Sequence, residues 1–368
     1  MTPTPTTVHI ALIGPGLVGA EFLAQVAAYQ QQVKEASTTS LQPRLVVVGI
    51  ATSSRQLTQP SIDLTTWKAA LAASTESTLD AFLTHASKYS PCILVDATSS
   101  NTIAESYPDC ISRHGLHIVT PNKKAFSADL DLYQRIIALA NTHNKKVLHE
   151  ATVGAGLPIL STLNDLVDTG DEIIKIEGVF SGTLSYIFNA FSSVDTAVSS
   201  TPSGFSDIVK QAKSLGYTEP DPRDDLNGMD VARKVVILAR LAGVPLSTDT
   251  LPIETVVPAT LEKVTPTEFM DRLVDYDDHF DKMRRDTAEK DAVLRYVGVV
   301  DVRGKCGQVN MVAYDKGHPF ASLKGSDNIV AFTTKRFPNS LIVQGAGAGA
   351  AVTAYAMLAD VLKIARMV

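Results

Sequence analysis

The stretch that decides the fold is Val8-His9-Ile10-Ala11-Leu12-Ile13-Gly14-Pro15-Gly16-Leu17-Val18-Gly19. Its first six residues form a short, largely apolar run of the length expected for a buried strand, and Ala20 to Tyr29 has a helix-forming composition. Between them lies a G-x-G-x-x-G motif, in which Gly14 permits a tight turn, Gly16 lets a pyrophosphate approach the backbone and Gly19 lets helix and strand pack closely. The segment therefore predicts a dinucleotide-binding βα unit, although a lone motif of this kind can also be an ordinary glycine-rich turn.

Further strands and helices alternate along the first 150 residues. Leu45 to Ile50, Cys92 to Asp96 and Leu116 to Thr120 are nearly all apolar, as expected of parallel strands covered on both faces. We therefore predict an α/β fold with a Rossmann-type, doubly wound parallel sheet.

The pattern of alternating apolar strands and helices is interrupted near Glu150 by a glycine-rich segment. The following residues predict a second α/β region, with helices near 158–167, 205–215 and 228–241, a charge-dense helical stretch at 262–290, and strands at 173–180, 293–302, 308–313 and 329–334. A last apolar helix, Ala350 to Met367, is expected to return to the first domain. The expected domains are 1–150 for dinucleotide binding, 151–342 for the second α/β region, and 343–368 for the C-terminal helix.

Composition excludes several classes of function. The 368 residues carry a net charge of −6, which argues against a nucleic-acid or anionic-membrane surface. The three cysteines are far apart, so a disulfide framework is not expected. No apolar run approaches the roughly 18 residues needed to span a bilayer, and the Thr/Pro-rich N-terminus lacks the pattern of a signal peptide. We expect a cytoplasmic protein.

The cofactor preference depends on the end of the second strand. An acid there would bind the ribose 2′-hydroxyl and repel a 2′-phosphate, but the strand runs into Ala51-Thr52-Ser53-Ser54-Arg55. The hydroxyl groups and Arg55 suit a 2′-phosphate, while Arg55 could equally be a solvated loop charge. NADP is therefore permitted, and the choice between NADP and NAD stays open.

The densest polar cluster is the stretch Gly216 to Lys234. Asp230 and Lys234 are four residues apart on a predicted helix and so share one face, an arrangement that is often only a surface ion pair. Glu219, Asp224 and Asp225 lie just upstream on a loop that contains two prolines. Several carboxylates around one lysine suggest a site that binds a cationic amine and uses the lysine for proton transfer.

Two other segments are candidate sites. Lys123 follows a predicted strand and Pro121-Asn122, which places it at the carboxyl end of the sheet, where such folds bind ligands; it could also be an ordinary loop lysine. The segment His149 to Leu157 pairs Glu150 with a glycine-rich backbone whose carbonyl oxygens could bind a hard cation, although on the residues alone a plain turn fits better. His318 lies in a Gly/Pro loop and is a candidate proton carrier by position alone.

Together these motifs resemble the homoserine dehydrogenase family in its short, monofunctional, fungal-type form, over nearly the whole chain. The block Gly216 to Lys234 is the most specific part of the resemblance, and Pro15 departs from the alanine usual in the family. The resemblance implies NADP- or NAD-dependent interconversion of L-aspartate 4-semialdehyde and L-homoserine, in threonine, methionine and isoleucine biosynthesis. It also implies a homodimer, with residues 151–342 as the region for catalysis and dimerisation.

The resemblance assigns roles to individual residues. Lys234 and Lys123 would be catalytic, with Lys234 the acid/base. The residues implied to bind substrate are Glu219, Asp230, Asp225, Tyr217, Thr183 and Gly182. Those expected to bind the cofactor, from the motif analysis and the resemblance together, are Gly14, Gly16, Leu17, Val18, Gly19, Ser54, Arg55, Thr98, Ser99, Lys123 and Gly349. Glu150, with main-chain oxygens of Val153, Ala155 and Leu157, would hold a monovalent cation, usually sodium in the family.

Other dehydrogenases and a cofactor-binding sensor are alternatives for a chain with this organisation. Diaminopimelate- or saccharopine-type dehydrogenases share the two-part architecture, and aspartate-semialdehyde dehydrogenase would need a nucleophilic cysteine that no cysteine here fits. A non-enzymatic NADP-binding redox sensor would have no use for the carboxylate–lysine cluster. Because the predicted domains use all 368 residues, leaving none for a kinase or regulatory domain, we expect little feedback inhibition by threonine.

Overall fold

The computed structural model describes residues 6–35, 42–76, 78–194 and 204–368. The expectation about the N-terminus rests partly on residues 1–5, outside these ranges. The chain forms two compact units: one contains the described residues up to Gly156 together with Ala348–Val368, and the other is Leu157–Gly347. Within the described ranges, no helix combines the length and apolar character required to cross a membrane.

The first unit is built on a six-stranded sheet with the order β3-β2-β1-β4-β5-β6. All neighbouring strands run parallel except the edge pair β2 and β3. The strands are β1 Thr7–Ile13, β2 Arg44–Ala51, β3 Gln56–Thr58, β4 Cys92–Asp96, β5 His117–Val119 and β6 Val147–Leu148; the helices are α1 Leu17–Glu35, α2 Trp67–Ala72, α3 Leu79–Ala86, α4 Asn101–Glu105, α5 Tyr107–Ser112, α6 Lys124–Ser127 and α7 Leu130–Thr142.

This sheet confirms the predicted Rossmann-type fold. The central strands β1 and β4 are buried along most of their length, as their apolar sequences require. Helix α1 begins three residues earlier than expected, at Leu17, because the glycine motif leads into the first turn. The short strands β3 and β6 were not predicted, since two or three residues carry too little pattern to be distinguished from loops.

The second unit contains a five-stranded antiparallel sheet with the order β11-β10-β7-β8-β9. Its strands are β7 Ile173–Val179, β8 Ala292–Asp301, β9 Cys306–Asp315, β10 Asp327–Thr334 and β11 Leu341–Ala346; its helices are α8 Ile159–Asp168, α9 Gly182–Phe191, α10 Phe205–Ser214, α11 Arg223–Leu226, α12 Met229–Leu241, α13 Pro266–Arg272 and α14 Asp277–Ala288.

Two segments of this unit differ from the sequence prediction. The stretch 262–290 is divided into α13, a 3₁₀ turn at Leu273–Tyr276 and α14. Residues 343–346, grouped with the C-terminal helix in the sequence analysis, belong to strand β11. That edge strand alternates half-buried and exposed residues and contains Gly345, so its sequence resembles a glycine-rich loop.

The C-terminal helix α15, Ala350–Ala365, packs against α1 within the first unit. Its buried residues Met357, Val361 and Ile364 join the core around Phe22 and Val26. The chain therefore returns to its first unit, as the apolar sequence of this helix predicted.

Candidate functional site

The glycine turn after β1 has the geometry that the motif predicted. Gly14 has φ +86°, and a Cβ there would lie 2.6 Å from Cγ2 of Thr98. A Cβ on Gly19 would lie 2.2 Å from the Gly14 carbonyl oxygen, so helix and turn pack too closely for any larger residue. A Cβ on Gly16 would meet no atom of the described residues within 4 Å. These residues therefore leave space beside Gly16, where the motif places a pyrophosphate.

The first turn of α1 faces the same region. Leu17 is 82% exposed and Val18 is half-buried. The first peptide N–H groups of a helix have no partner within it and favour anions. Gly349, also expected at the cofactor, precedes α15 with φ +120°, a conformation that favours glycine.

A cleft of about 200 Å³ lies beside this turn, between the ends of β1 and β2. Its wall includes Gly14, Thr52, Ser53, Arg55 and Thr98, and none of the lining residues within the described ranges is acidic. The Thr52 hydroxyl oxygen accepts the backbone N–H of Arg55 at 3.0 Å and that of Ser54 at 3.3 Å, which shapes the turn. Ser54 itself is not among the lining residues. The exposed Arg55 also donates from Nη1 to the Ser74 carbonyl at 2.5 Å.

A buried polar network lies at the carboxyl ends of β4 and β5. The Asp96 side chain accepts the Tyr107 hydroxyl at 2.6 Å, the Asn122 amide at 3.1 Å and the backbone N–H of Thr98 at 2.8 Å. Thr120 donates to the Asp96 carbonyl oxygen at 2.8 Å. Burial, followed by the charge of Asp96, raises the pKa of Tyr107 above its usual range, so the phenol stays protonated and donates to the carboxylate.

This network fixes two predicted site segments. Through Thr98 it holds the loop that contains Ser99, and Asn122 also donates to the Ser100 carbonyl at 2.9 Å. Asn122 accepts the backbone N–H of Lys124 at 3.1 Å, so it is bonded just beyond Lys123. Lys123 is half-buried at the start of α6. The sequence analysis assigned no role to Tyr107 or Asn122, because only the fold brings them to Asp96.

In the second unit, Lys234 lies on α12 with its side chain almost fully buried. Its Nζ is 2.7 Å from Oδ2 of Asp230 and 2.7 Å from the carbonyl oxygen of Phe180. The Asp230 side chain is 41% exposed. The lysine of the pair is therefore buried, whereas its carboxylate partner is accessible to solvent. Such a buried ammonium differs from the surface ion pair that the spacing alone also allowed.

The predicted substrate loop lies in the same unit. Asp225 accepts the backbone N–H of Glu219 at 2.8 Å and lies 3.0 Å from the hydroxyl oxygen of Thr183, which is 2.5 Å from the Tyr217 carbonyl oxygen. Burial raises the pKa of Asp225, and the negative charges of Glu219 and Asp230 add to the rise. Gly182 and Thr183 form the first turn of α9. The structure therefore connects the carboxylate loop to this helix start.

The predicted cation ligands belong to a tight turn that follows β6 and to the residues directly after it. Glu150 is buried in a 3₁₀ turn, and Ala155 has φ +50° directly after Gly154 at +72°. On α15, Asp360 accepts the backbone N–H of Glu150 at 2.9 Å, and Lys363 lies 3.5 Å from Oε2 of Glu150. Val153 and Ala155 belong to the first unit, whereas Leu157 begins the second. Asp360 and Lys363 carry no local sequence signal for this role, because only the return of α15 brings them to the turn.

His318 belongs to a separate cluster. Its Nδ1 accepts the backbone N–H of Phe320 at 3.1 Å, and its ring lies 4.5 Å from that of Tyr314. Burial lowers its pKa. A neutral imidazole held in this way shapes the loop.

The sheet topology and the glycine turn define the class of dinucleotide-binding proteins with a Rossmann-type fold. Two family models match the chain: residues 14–150 fit the homoserine dehydrogenase NAD binding domain, and residues 158–362 fit homoserine dehydrogenase. The chain belongs to the homoserine dehydrogenase family.

The sequence is similar to homoserine dehydrogenases of two yeasts over nearly the full length of each chain. The chain is 48% identical to homoserine dehydrogenase of Saccharomyces cerevisiae, over 98% of both chains. It is also 48% identical to the enzyme of Schizosaccharomyces pombe, over 99% of this chain and 97% of that one. A Candida auris protein of unknown function has a crystal structure that is 45% identical, with a TM-score of 0.89 over 98% of each chain.

Proposed function

We propose that this enzyme interconverts L-aspartate 4-semialdehyde and L-homoserine, with Lys234 as acid/base. The observation that carries the mechanism is the buried Lys234 Nζ, held 2.7 Å from both Asp230 and the Phe180 carbonyl. The nicotinamide cofactor, when bound, donates or accepts the hydride. The alternatives, a diaminopimelate- or saccharopine-type enzyme or a redox sensor, are not favoured by the family match.

Lys234 supplies the proton that the hydride step requires. When hydride reaches the aldehyde carbon, negative charge develops on the carbonyl oxygen, and an ammonium beside it stabilises that charge and transfers a proton. In the oxidative direction the neutral amine accepts the hydroxyl proton, so homoserine oxidation is favoured at alkaline pH. Lys123 is proposed to orient the substrate oxygen and assist this transfer, from the chain segment fixed by Asn122.

The substrate ends are proposed to bind at the carboxylate loop. Glu219 and Asp230 match the α-ammonium group of homoserine, while Asp225 keeps the loop in place through Thr183 and the Glu219 backbone. Gly182 lies at the start of α9, where peptide N–H groups favour a carboxylate. Tyr217 is proposed to line the pocket beside the ring of Tyr186, 4.9 Å away.

The cofactor is proposed to bind over the glycine turn, with contacts to Leu17, Val18, Thr98 and Gly349. A 2′-phosphate would meet hydroxyl groups and Arg55 but no acid of the cleft wall. These features favour NADP while leaving NAD acceptable, since the threonine and serine hydroxyls of the wall can also bond a ribose hydroxyl.

A monovalent cation, sodium in our proposal, is assigned to Glu150 with main-chain oxygens of Val153, Ala155 and Leu157. Oxygen donors suit hard cations. Two carboxylates, Glu150 and Asp360, lie close to the ammonium of Lys363, so the turn is rich in oxygen donors. Replacing NaCl by choline chloride at constant ionic strength should lower activity or stability of the wild type, and Glu150→Gln should abolish that response. Equal behaviour in both salts would refute the assignment.

The cellular setting is proposed from the family. We propose a cytoplasmic homodimer that acts in threonine, methionine and isoleucine biosynthesis. The antiparallel sheet supports dimerisation, because its edge strand β11 exposes Ile342 and edge strands pair readily with a second chain. Sedimentation equilibrium should give twice the 39.3 kDa chain mass; a single-chain mass across micromolar concentrations would contradict this.

A direct assay tests the proposed reaction. The purified chain should reduce NADP+ or NAD+ with L-homoserine near pH 9, followed at 340 nm, and should not do so with malate or diaminopimelate. No absorbance rise with homoserine, from a folded protein, would overturn the proposal.

A further inference from the structure

The carbonyl oxygen of Phe180 receives two buried donors. Nζ of Lys234 lies 2.7 Å from it and Nδ2 of Asn328 lies 3.0 Å from it. Asn328 is fully buried. A carbonyl can only accept hydrogen bonds, so this contact fixes which end of the Asn328 amide faces Phe180. The proposed acid/base and a neutral amide therefore share one acceptor.

The shared oxygen belongs to a buried and closely packed residue. Phe180 follows strand β7 and is 1% exposed. A Cβ on Gly178 would lie 3.0 Å from its ring, and one on Gly298 would lie 3.1 Å from it. The ring is thus packed against two glycines of neighbouring strands, which restricts movement of its backbone.

Asn328 is also confined from its other side. It is the second residue of β10, next to β11, and a Cβ on Gly347 would lie 2.0 Å from its Cγ. Its Oδ1 is buried without a hydrogen-bond partner among the residues that the structure describes. Burying an unsatisfied amide oxygen costs about 1–3 kcal/mol. Oδ1 of Asn189 is in the same state, so the bond to the Phe180 carbonyl is the feature that sets Asn328 apart.

We propose that Asn328 is a positioning residue for Lys234, acting through the Phe180 carbonyl. By donating to the Phe180 carbonyl oxygen, Asn328 holds in place an acceptor that orients the Lys234 ammonium. Its neutral amide adds no charge beside the ammonium. The proposal rests on the proposed acid/base role of Lys234. The family match and the residue roles given above assign nothing to Asn328.

Two substitutions test the proposal in the full-length enzyme. Asn328→Ala removes the donor, so kcat for homoserine oxidation should fall by about tenfold, the size of one lost hydrogen bond, with KM for the cofactor within twofold. Asn328→Asp keeps the shape but introduces a carboxylate near the ammonium, which favours the protonated lysine. The acidic limb of its kcat profile should move by about one unit or more to higher pH, and the rate should recover at pH 10.

Matched controls separate this role from damage to the fold. Asn189→Asp makes the same change in the same unit, at an amide that donates to the Gly325 carbonyl at 3.0 Å, and should leave the pH profile unchanged. If Asn328→Ala is too unstable to purify, Gly347→Ala displaces the same amide and should reproduce the kcat loss.

The outcomes distinguish this inference from the proposed function. A wild-type pH profile for Asn328→Asp, a pH-independent loss in that variant, or wild-type kcat in Asn328→Ala would overturn the inference while Lys234→Met remains inactive. An active Lys234→Met would instead overturn the acid/base role on which the inference rests.

Discussion

The hydroxyl of Tyr107 donates to the carboxylate of Asp96 across 2.6 Å, and both side chains are fully buried. The residues lie eleven positions apart, one at the end of β4 and the other at the start of α5. The pair connects the core of the first unit to the loop and the lysine proposed to act on cofactor and substrate, through Thr98 and Asn122.

We expect Tyr107→Phe to destabilise the protein by about 1–3 kcal/mol, because it removes a donor from a buried carboxylate without changing the ring. Urea unfolding followed by circular dichroism measures this. Tyr355→Phe alters an exposed tyrosine and serves as the control. Equal stability of the two variants would show that the buried bond contributes nothing.

The glycine motif predicts two contrasting alanine variants. Gly19→Ala places its Cβ 2.2 Å from the Gly14 carbonyl oxygen and should lower Tm markedly, whereas the Cβ of Gly16→Ala meets nothing within 4 Å in the described part of the chain, so this variant should fold normally. Gly16→Ala should nevertheless raise KM for the nicotinamide cofactor by about tenfold or more, because its methyl group occupies the space expected for the pyrophosphate. Thermal unfolding and steady-state kinetics check both. A Gly16→Ala enzyme with wild-type cofactor KM would refute the assigned cofactor position.

Arg55→Ala should discriminate between the two cofactors. Loss of a charge-assisted hydrogen bond to the 2′-phosphate should raise KM for NADP+ by about tenfold, while KM for NAD+ stays within twofold. Arg113→Ala, which removes an exposed arginine paired with Asp80 in the same unit, should change neither value. If Arg55→Ala raised KM equally for both cofactors, Arg55 would have only a structural role in the turn, through its hydrogen bond to the Ser74 carbonyl.

Stability should fall as the pH is lowered, partly because of His149. Burial lowers the pKa of His149 to about 4, and its ring stacks on Phe126 at 3.8 Å. The unfolded histidine, with a pKa near 6.5, binds a proton that the folded one excludes, so the folded state loses stability from about pH 6.5 down to about pH 4. At pH 5 this amounts to about 2 kcal/mol relative to pH 7.

His149→Phe should flatten that dependence while keeping the stacked ring. Some slope should remain, because burial also lowers the pKa of His117 to about 4. The exposed His143 provides the control variant His143→Gln, which should follow the wild type. Denaturant unfolding at pH 7 and pH 5 measures the effect, and an unchanged slope in His149→Phe would disprove it.

Sequence reasoning identified the fold where local chemistry dictates it. The glycine turn and the apolar strands are local patterns, and they fixed the parallel sheet; Lys234 and Asp230 were found because four residues make one helical turn. Asn328, Asp360 and Tyr107 gave no such signal, since each acquires its partners from segments distant in sequence. Strand β11 was missed for a related reason, because an edge strand is stabilised by its pairing with β10 rather than by its own composition.

The pH dependence of homoserine oxidation in Lys234→Met tests the central claim most directly, since this change keeps the length and apolar stem of the side chain but removes the amine. With Tm and cofactor KM near wild-type values, we expect kcat to fall by about 10²–10⁴-fold and to lose the rise between neutral and alkaline pH that the wild type shows. A folded Lys234→Met enzyme that retained most of its turnover, with the wild-type pH profile, would contradict the account.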